Sequence, residues 1–258
     1  MASNMRQRIL SGETLIGPFA AIPHPVAIEV TAAAGPDFLC IDAEHAQIGR
    51  ERLEDLIRAG DVHGVPMLVR VPGHAPEQIA AALDAGAAGV LVPRVSTVAE
   101  AQAAVTATRY PPQGARGVGP GRAAAYGYRI PDYLESANRT VLLAIQVETA
   151  AGLANISQIA AVEGIDVIFI GPGDLSVSIG ALGPEGRELL QAAIVTIASA
   201  ATDAGRIAGI FRPAPDDIAA WRGKGISFFI LASDTMFLGA SVAAGLATAR
   251  AATGDKPA

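Results

Sequence analysis

Lysine is nearly absent from this 258-residue sequence: Lys224 and Lys256 stand alone against seventeen arginines. Chemistry that runs through a lysine Schiff base therefore has two side chains to draw on. Cysteine is scarcer still. With only Cys40, no intrachain disulfide and no multi-cysteine zinc site can form, and the chain suits a reducing cytoplasm. No apolar run approaches the roughly 20 residues that cross a bilayer. The opening Met-Ala-Ser-Asn-Met-Arg-Gln-Arg lacks the hydrophobic stretch of a signal peptide. A net charge of −6 leaves no basic footprint for nucleic acid. The expectation is a soluble, cytoplasmic protein with no membrane or nucleic-acid partner.

What is present is a repeating pattern. Short apolar, β-branched runs at 14–20, 38–42, 66–71, 89–92, 141–147, 167–170, 206–211 and 227–231 predict eight strands. Ala-rich stretches at 25–34, 51–63, 76–85, 98–108, 150–162, 185–204, 215–222 and 235–252 predict eight helices between and after them. The strands are continuous hydrophobic runs, as in a parallel sheet covered by helices. Glycines such as Gly86 and Gly205 sit where a helix needs a left-handed cap. The length suits one (β/α)8 TIM barrel over residues 1–258 with a substantial core. One irregular insert, 110–138, carries Gly, Pro and Arg and one short helix near 132–136; a loop that long is usually functional. The tail at 254–258 is expected to fray.

Against apolar strands, polar residues at the strand ends are informative. Asp42-Ala43-Glu44-His45 follows the second strand, Arg70 ends the third and Pro93-Arg94 follows the fourth. Gln146-Val147-Glu148-Thr149 ends the fifth, Gly171-Pro172-Gly173-Asp174 follows the sixth, and Phe211-Arg212 and Ser233-Asp234 close the last two. All fall at C-terminal strand ends, where barrel active sites form. Glu148 and Asp174 close adjacent strands, and two neighbouring carboxylates repel unless a proton or cation lies between them. Oxygen ligation with open positions suits Mg²⁺ or Mn²⁺, and also Co²⁺. The competing explanation is two acids stabilised by helix dipoles. His45, alone of four histidines at a C-terminal strand end, fits a general base that Asp42 or Glu44 could orient. Arg70 needs an anionic partner, either a structural carboxylate or a developing oxyanion.

These segments resemble the HpcH/HpaI aldolases, a family of metal-dependent pyruvate aldolases that includes 4-hydroxy-2-oxoheptanedioate and 2-dehydro-3-deoxyglucarate aldolases. The resemblance rests on Phe38-Leu39-Cys40-Ile41-Asp42-Ala43-Glu44-His45, Leu68-Val69-Arg70-Val71-Pro72, Gln146-Val147-Glu148-Thr149 and Ile170-Gly171-Pro172-Gly173-Asp174-Leu175, in order along nearly the whole chain. Arg116-Gly117-Val118-Gly119 also fits, and Arg122-Ala123-Ala124-Ala125-Tyr126-Gly127 looks closer to the deoxyglucarate branch. The resemblance implies Glu148 and Asp174 as ligands of Mg²⁺, Mn²⁺ or Co²⁺, His45 as proton acceptor and Arg70 as enolate stabiliser. It implies that Gln146 and the Pro172-Gly173-Asp174 backbone hold the pyruvyl group, although the family often has Ala, Asn or Ser at Gly173. Asp84 matches a residue that raises the basicity of the histidine. Ending the helix at 76–85, it lies on the opposite face of its own barrel and could serve only from a neighbouring subunit. The family forms homohexamers, trimers of dimers that exchange a C-terminal helix, which makes that route plausible.

The reaction expected is reversible retro-aldol cleavage of a 4-hydroxy-2-oxo acid to pyruvate and an aldehyde, with Phe211 shaping the aldehyde pocket and no nucleotide cofactor. An alternative is a carbon–carbon lyase of CoA thioesters, for which Arg116, Arg122 and Arg129 could bind phosphate. A second is a non-enzymatic metal-binding barrel. Lys224 precedes the last strand and Lys256 lies in the tail, so no Schiff-base lysine is expected at the C-terminal rim.

Overall fold

Residues 4–253 are described by a computed structural model. Its strands are β1 (Leu15–Ala20), β2 (Leu39–Asp42), β3 (Met67–Arg70), β4 (Gly89–Val92), β5 (Leu142–Val147), β6 (Val167–Ile170), β7 (Ile207–Arg212) and β8 (Ile226–Ser233). They pair in parallel in strict chain order, and β8 closes onto β1 with Leu15 opposite Phe228 and Ile16 opposite Phe229. This is the expected (β/α)8 barrel, and each strand lies within two residues of its sequence reading.

Alternate side chains of each strand build two cores. Phe19, Cys40, Leu68, Leu91, Ala144, Phe169 and Phe228 fill the barrel interior. Ile41, Val69, Val90, Leu143, Ile168, Ile210 and Phe229 face outward against the helices. Gly86 and Gly205 end their helices at positive φ, 103° and 69°, as left-handed caps require.

The helices depart from expectation in five places. A helix at Met5–Leu10, capped by the Asn4 side chain, drives Met5 and Ile9 into the interior core from below. Six residues are too few to show a period. The insert is more ordered than its composition suggests, with a 3-10 segment at Arg122–Gly127 and a helix at Ile130–Thr140 that carries Pro131 in its first turn. The helix expected at 150–162 splits at Asn155, whose side-chain amide donates to Ser96 O (2.9 Å) and whose backbone leaves helical values. The Gly-Pro-Gly-Asp turn opens a helix at Pro172–Ser178.

The last helix lies where it is expected, at 235–252, and the fifth departure is its apolar length, which corrects the expectation that no run approaches a membrane span. The helix at Asp234–Thr253 is long and apolar enough to cross a membrane by length and composition. From Thr235 to Ala249 it carries no charge, and its alanines and glycines hide that run from a search for large apolar residues. It stands away from the barrel, anchored by Asp234, which accepts from Ala21 N and Ile22 N (both 3.0 Å). The tail 254–258, including Lys256, lies outside the described residues.

A buried ion cluster ties the bottom of the barrel together. Asp166 accepts from Leu143 N (2.9 Å), Arg109 Nη2 (3.0 Å) and Arg6 Nε (2.9 Å). Arg109 also donates to Val141 O and Gly164 O. The cluster joins the N-terminal helix to β5 and β6. Removing the carboxylate strands a buried guanidinium, which typically costs about 3–5 kcal/mol. Asp166→Ala should therefore lower the unfolding free energy, read from chemical denaturation, by that order; a loss below about 1 kcal/mol would show that the cluster is not structurally important.

Candidate active site at the C-terminal rim

Register creates the first element of the site. Asp42 and Arg70 end neighbouring strands directly opposite one another. Arg70 grips Asp42 as a fork, Nε to Oδ1 at 3.0 Å and Nη2 to Oδ2 at 2.7 Å, with its guanidinium 4.3 Å over the Phe19 ring. Asp42 Oδ1 also accepts from Glu44 N (3.2 Å) and His45 N (3.1 Å), shaping the turn after β2. Burial pushes the Asp42 carboxyl up, but the Arg70 hydrogen bond and charge outweigh it, and the net shift is down.

That arrangement separates the two acids named as candidates to orient His45. Asp42 holds the backbone of His45 rather than its ring, and the carboxylate facing the imidazole is Glu44, whose Oε2 lies 3.6 Å from His45 Nε2. The same oxygen is 3.4 Å from Arg70 Nε and has no hydrogen-bond partner although buried. Burial raises the Glu44 carboxyl, with Arg70 and His45 opposing and Asp42 and Asp174 reinforcing. The His45 side chain is 60% exposed, available to a molecule entering from solvent.

The second element lies across the rim. Glu148, 2% exposed, accepts from Arg94 N (3.0 Å) at Oε1 and from the Gln146 side-chain amide at Oε2. Burial pushes its carboxyl up; Gln146 opposes, and the negative charges of Asp174 and Glu44 add to the rise. Gln146 Oε1 is buried without a partner. Gly171 makes the pocket possible, because a Cβ there would stand 2.5 Å from Glu148 Oε2. The sequence marks Gly171 as part of the Gly-Pro-Gly-Asp motif, and the structure adds its contact with Glu148. Asp174 occupies the first turn of the helix at Pro172–Ser178 and is exposed to the cleft.

Between the two elements lies a cleft of about 370 Å³, lined by His45, Arg70, Gln146, Asp174 and Phe211 among others. Phe211 packs against Phe19, ring centres 5.8 Å apart. A larger cleft, about 940 Å³, lies elsewhere, beside the C-terminal helix; its mainly apolar lining includes Asp37 and Asp234 but none of Asp42, Glu44, Glu148 and Asp174, so the smaller cleft is the candidate site. Among the described residues no three His, Cys, Asp or Glu side chains form a closed metal cage. The donor set nonetheless fits a hard cation: a buried carboxylate without a basic partner, a second carboxylate nearby and an orphaned amide oxygen. Few protein ligands leave the remaining positions to water and substrate.

The family profile described as HpcH/HpaI aldolase/citrate lyase matches residues 15–240. The chain belongs to this family. It is 39% identical over 237 residues, 92% of each chain, to a 4-hydroxy-2-oxovalerate aldolase of Rhodococcus jostii (strain RHA1). It is 34% identical over 232 residues, 90% of this chain and 91% of the relative, to a 5-keto-4-deoxy-D-glucarate aldolase of Klebsiella pneumoniae. A crystal structure of an HpcH/HpaI aldolase/citrate lyase family protein from Burkholderia cenocepacia J2315 superposes with a TM-score of 0.91 at 36% identity, covering 96% of this chain and 100% of that one. This HpcH/HpaI protein is accordingly an enzyme, a carbon–carbon lyase of the aldolase type.

Three sets of expected residues lie away from the cleft. Asp84 ends the helix at Pro76–Asp84, just before β4, and binds Arg116 Nη2 at 2.6 Å; its own His45 is on the other face. Arg116 and Arg122 sit on that same face, paired with Asp84 and Asp61, and Arg129 pairs with Asp132. This removes the observation that favoured a CoA thioester. Arg212 forks onto Asp217, and Lys224 stacks on Trp221 just before β8 begins.

The Asp42–Arg70 pair generates a pH signature. A carboxylate depressed in the folded state stabilises the protein above its unfolded value, near pH 3.9, and that contribution is lost as pH falls through the folded value. The melting-temperature gap between wild type and Asp42→Asn should be widest near neutrality and shrink below about pH 4. A gap that stays constant into strong acid would mean that Asp42 is not held as an ion.

Proposed function

We propose that this protein catalyses reversible retro-aldol cleavage of 4-hydroxy-2-oxo acids to pyruvate and an aldehyde. The observation that carries the reading is Glu148, buried with only neutral donors and under the charge of Asp174, beside a cleft lined by Asp174, Arg70 and His45. Glu148 and Asp174 would hold the divalent ion, Mg²⁺, Mn²⁺ or Co²⁺. Bound there, it supplies Lewis-acid polarisation of the 2-oxo group. Gln146 Oε1 and the backbone of Pro172, Gly173 and Asp174 line the wall that receives the pyruvyl end.

His45, beside Glu44, takes the C4 hydroxyl proton as general base. The C3–C4 bond then breaks, C4 becomes the aldehyde carbonyl, and the electron pair passes into the pyruvate enolate. Arg70, pre-set by Asp42, presents a fixed positive charge to that developing oxyanion. Protonation at C3 completes pyruvate. Phe211 forms an apolar wall for the departing aldehyde.

We also read the chain as a homohexamer in which the C-terminal helix is exchanged between subunits. The helix exposes Phe237, Leu238, Val242 and Leu246, each about half accessible. The 940 Å³ apolar cleft beside it, walled by the helix at Pro25–Ala33, exposes Val26 and Val30. Such a self-complementary pair of surfaces suits an isologous contact. In that assembly Asp84, held by Arg116, would serve a partner's His45.

Two measurements test these readings. Pyruvate release from 4-hydroxy-2-oxo acids should vanish with EDTA and in Glu148→Gln and Asp174→Asn, while Arg70→Ala should lower kcat by roughly 10²–10³ at saturating substrate. Undiminished turnover in chelated Glu148→Gln would sink the assignment; an Arg70→Ala effect on KM alone would make Arg70 a binding residue. Leu238→Glu combined with Leu246→Glu should collapse a six-chain particle in light scattering, and an unchanged mass would rule the helix out as the contact.

A further inference from the structure

The segment after β4 carries a left-handed residue with a side chain, as the end of β8 does at Ala232. Arg94 adopts φ 55°, one of four residues other than glycine at positive φ among the described residues. Side chains with a Cβ resist that region, and β-branched ones resist it most. Strain of this kind persists where the surroundings enforce it, and it concentrates at functional sites.

The surroundings here are explicit. Upstream, His74 donates from Nε2 to Pro93 O at 2.6 Å, clamping the residue before the turn. Downstream, Val95 N donates to Gln146 O at 2.9 Å, returning the chain to β5. Ser96 Oγ lies 2.7 Å from Thr149 Oγ1, and Asn155 ties down Ser96 O. Between these fixed points the Arg94 N–H donates to Glu148 Oε1 at 3.0 Å, and the positive φ that follows sends the chain on to the Val95–Gln146 bond, so both bonds are made at once. Glu148 thus has two protein donors, the Arg94 backbone and the Gln146 amide, which fix the carboxylate plane from both ends. The Arg94 side chain takes no part: it is exposed, with no hydrogen bond or ion pair among the described residues.

We propose that the left-handed turn at Arg94, braced by His74, is the device that orients the Glu148 carboxylate toward a divalent cation. Arg94 is a positioning residue that works through its backbone, and its guanidinium is dispensable. The inference rests on the reading of Glu148 as a metal ligand. Groups that orient a ligand from behind typically control affinity by about 10–100-fold.

Tolerance of the left-handed region supplies the test. Glycine enters it freely and asparagine readily, alanine less so, and valine least. Mn²⁺ affinity should be measured by calorimetry on the metal-free full-length protein, without substrate, for Arg94→Gly, Arg94→Asn, Arg94→Ala and Arg94→Val, with circular dichroism to verify folding. Gly and Asn variants should bind as wild type does, Ala should bind more weakly, and Val should lose about 10–100-fold. If the Val variant does not fold, the order of the other three still decides. His74→Ala should weaken Mn²⁺ binding in the same direction. Equal affinity across the series would overturn the inference, as would losses in Gly and Asn that match Val, which would implicate the guanidinium. Glu148→Gln separates the two layers: if it leaves Mn²⁺ affinity intact, the ligand assignment falls and the inference with it. If only Glu148→Gln weakens binding, the ligand assignment stands and the role of Arg94 does not.

Discussion

Closure of β8 onto β1 is the constraint on which everything else depends. With Leu15 opposite Phe228 and Ile16 opposite Phe229, no strand edge is left open, and every strand is committed to one interior and one exterior face. The interior admits only apolar side chains of matched size, so charge is expelled to the two ends. Parallel strands then send all the C-terminal charges to one end. The convergence of Asp42, Arg70, Gln146, Glu148 and Asp174 is thus a consequence of topology before it is a feature of chemistry.

The two ends treat buried charge in opposite ways. At the bottom, Asp166 is surrounded by Arg109, Arg6 and backbone donors, and its charge is neutralised within the chain. At the top, Glu148 receives only neutral donors while Asp174 and Glu44 push against it. A cluster satisfied internally holds structure, whereas an unneutralised one retains the capacity to bind something. Asp42 and Arg70 lie between these extremes. They neutralise each other, and the pairing fixes the guanidinium at the wall of the cleft.

The barrel was legible because its signals are local and repeated. Eight apolar runs alternating with helical stretches leave little choice of architecture, and the motifs around Asp42–His45, Arg70, Gln146–Glu148 and Gly171–Asp174 mark the rim by position alone. Other features carried no local signal. The helix at Met5–Leu10 is stabilised by inserting Met5 and Ile9 into a core assembled from distant strands. The break at Asn155 depends on Ser96, far away in sequence. The C-terminal helix was legible at 235–252, but its long apolar run was masked by its small residues.

By itself the sequence determined the fold, the rim of the barrel where polar residues gather and the residues at that rim, because strand order and period follow from hydrophobic spacing. Only the tertiary structure decided how those residues are used. It turned Asp42 toward Arg70 and the His45 backbone, set Glu44 before the imidazole, and placed the insert arginines and Asp84 on the far face. It also brought a strained Arg94 backbone against Glu148. Each of these depends on which atoms of remote segments come within hydrogen-bonding distance, and barrel closure, not local spacing, sets that distance.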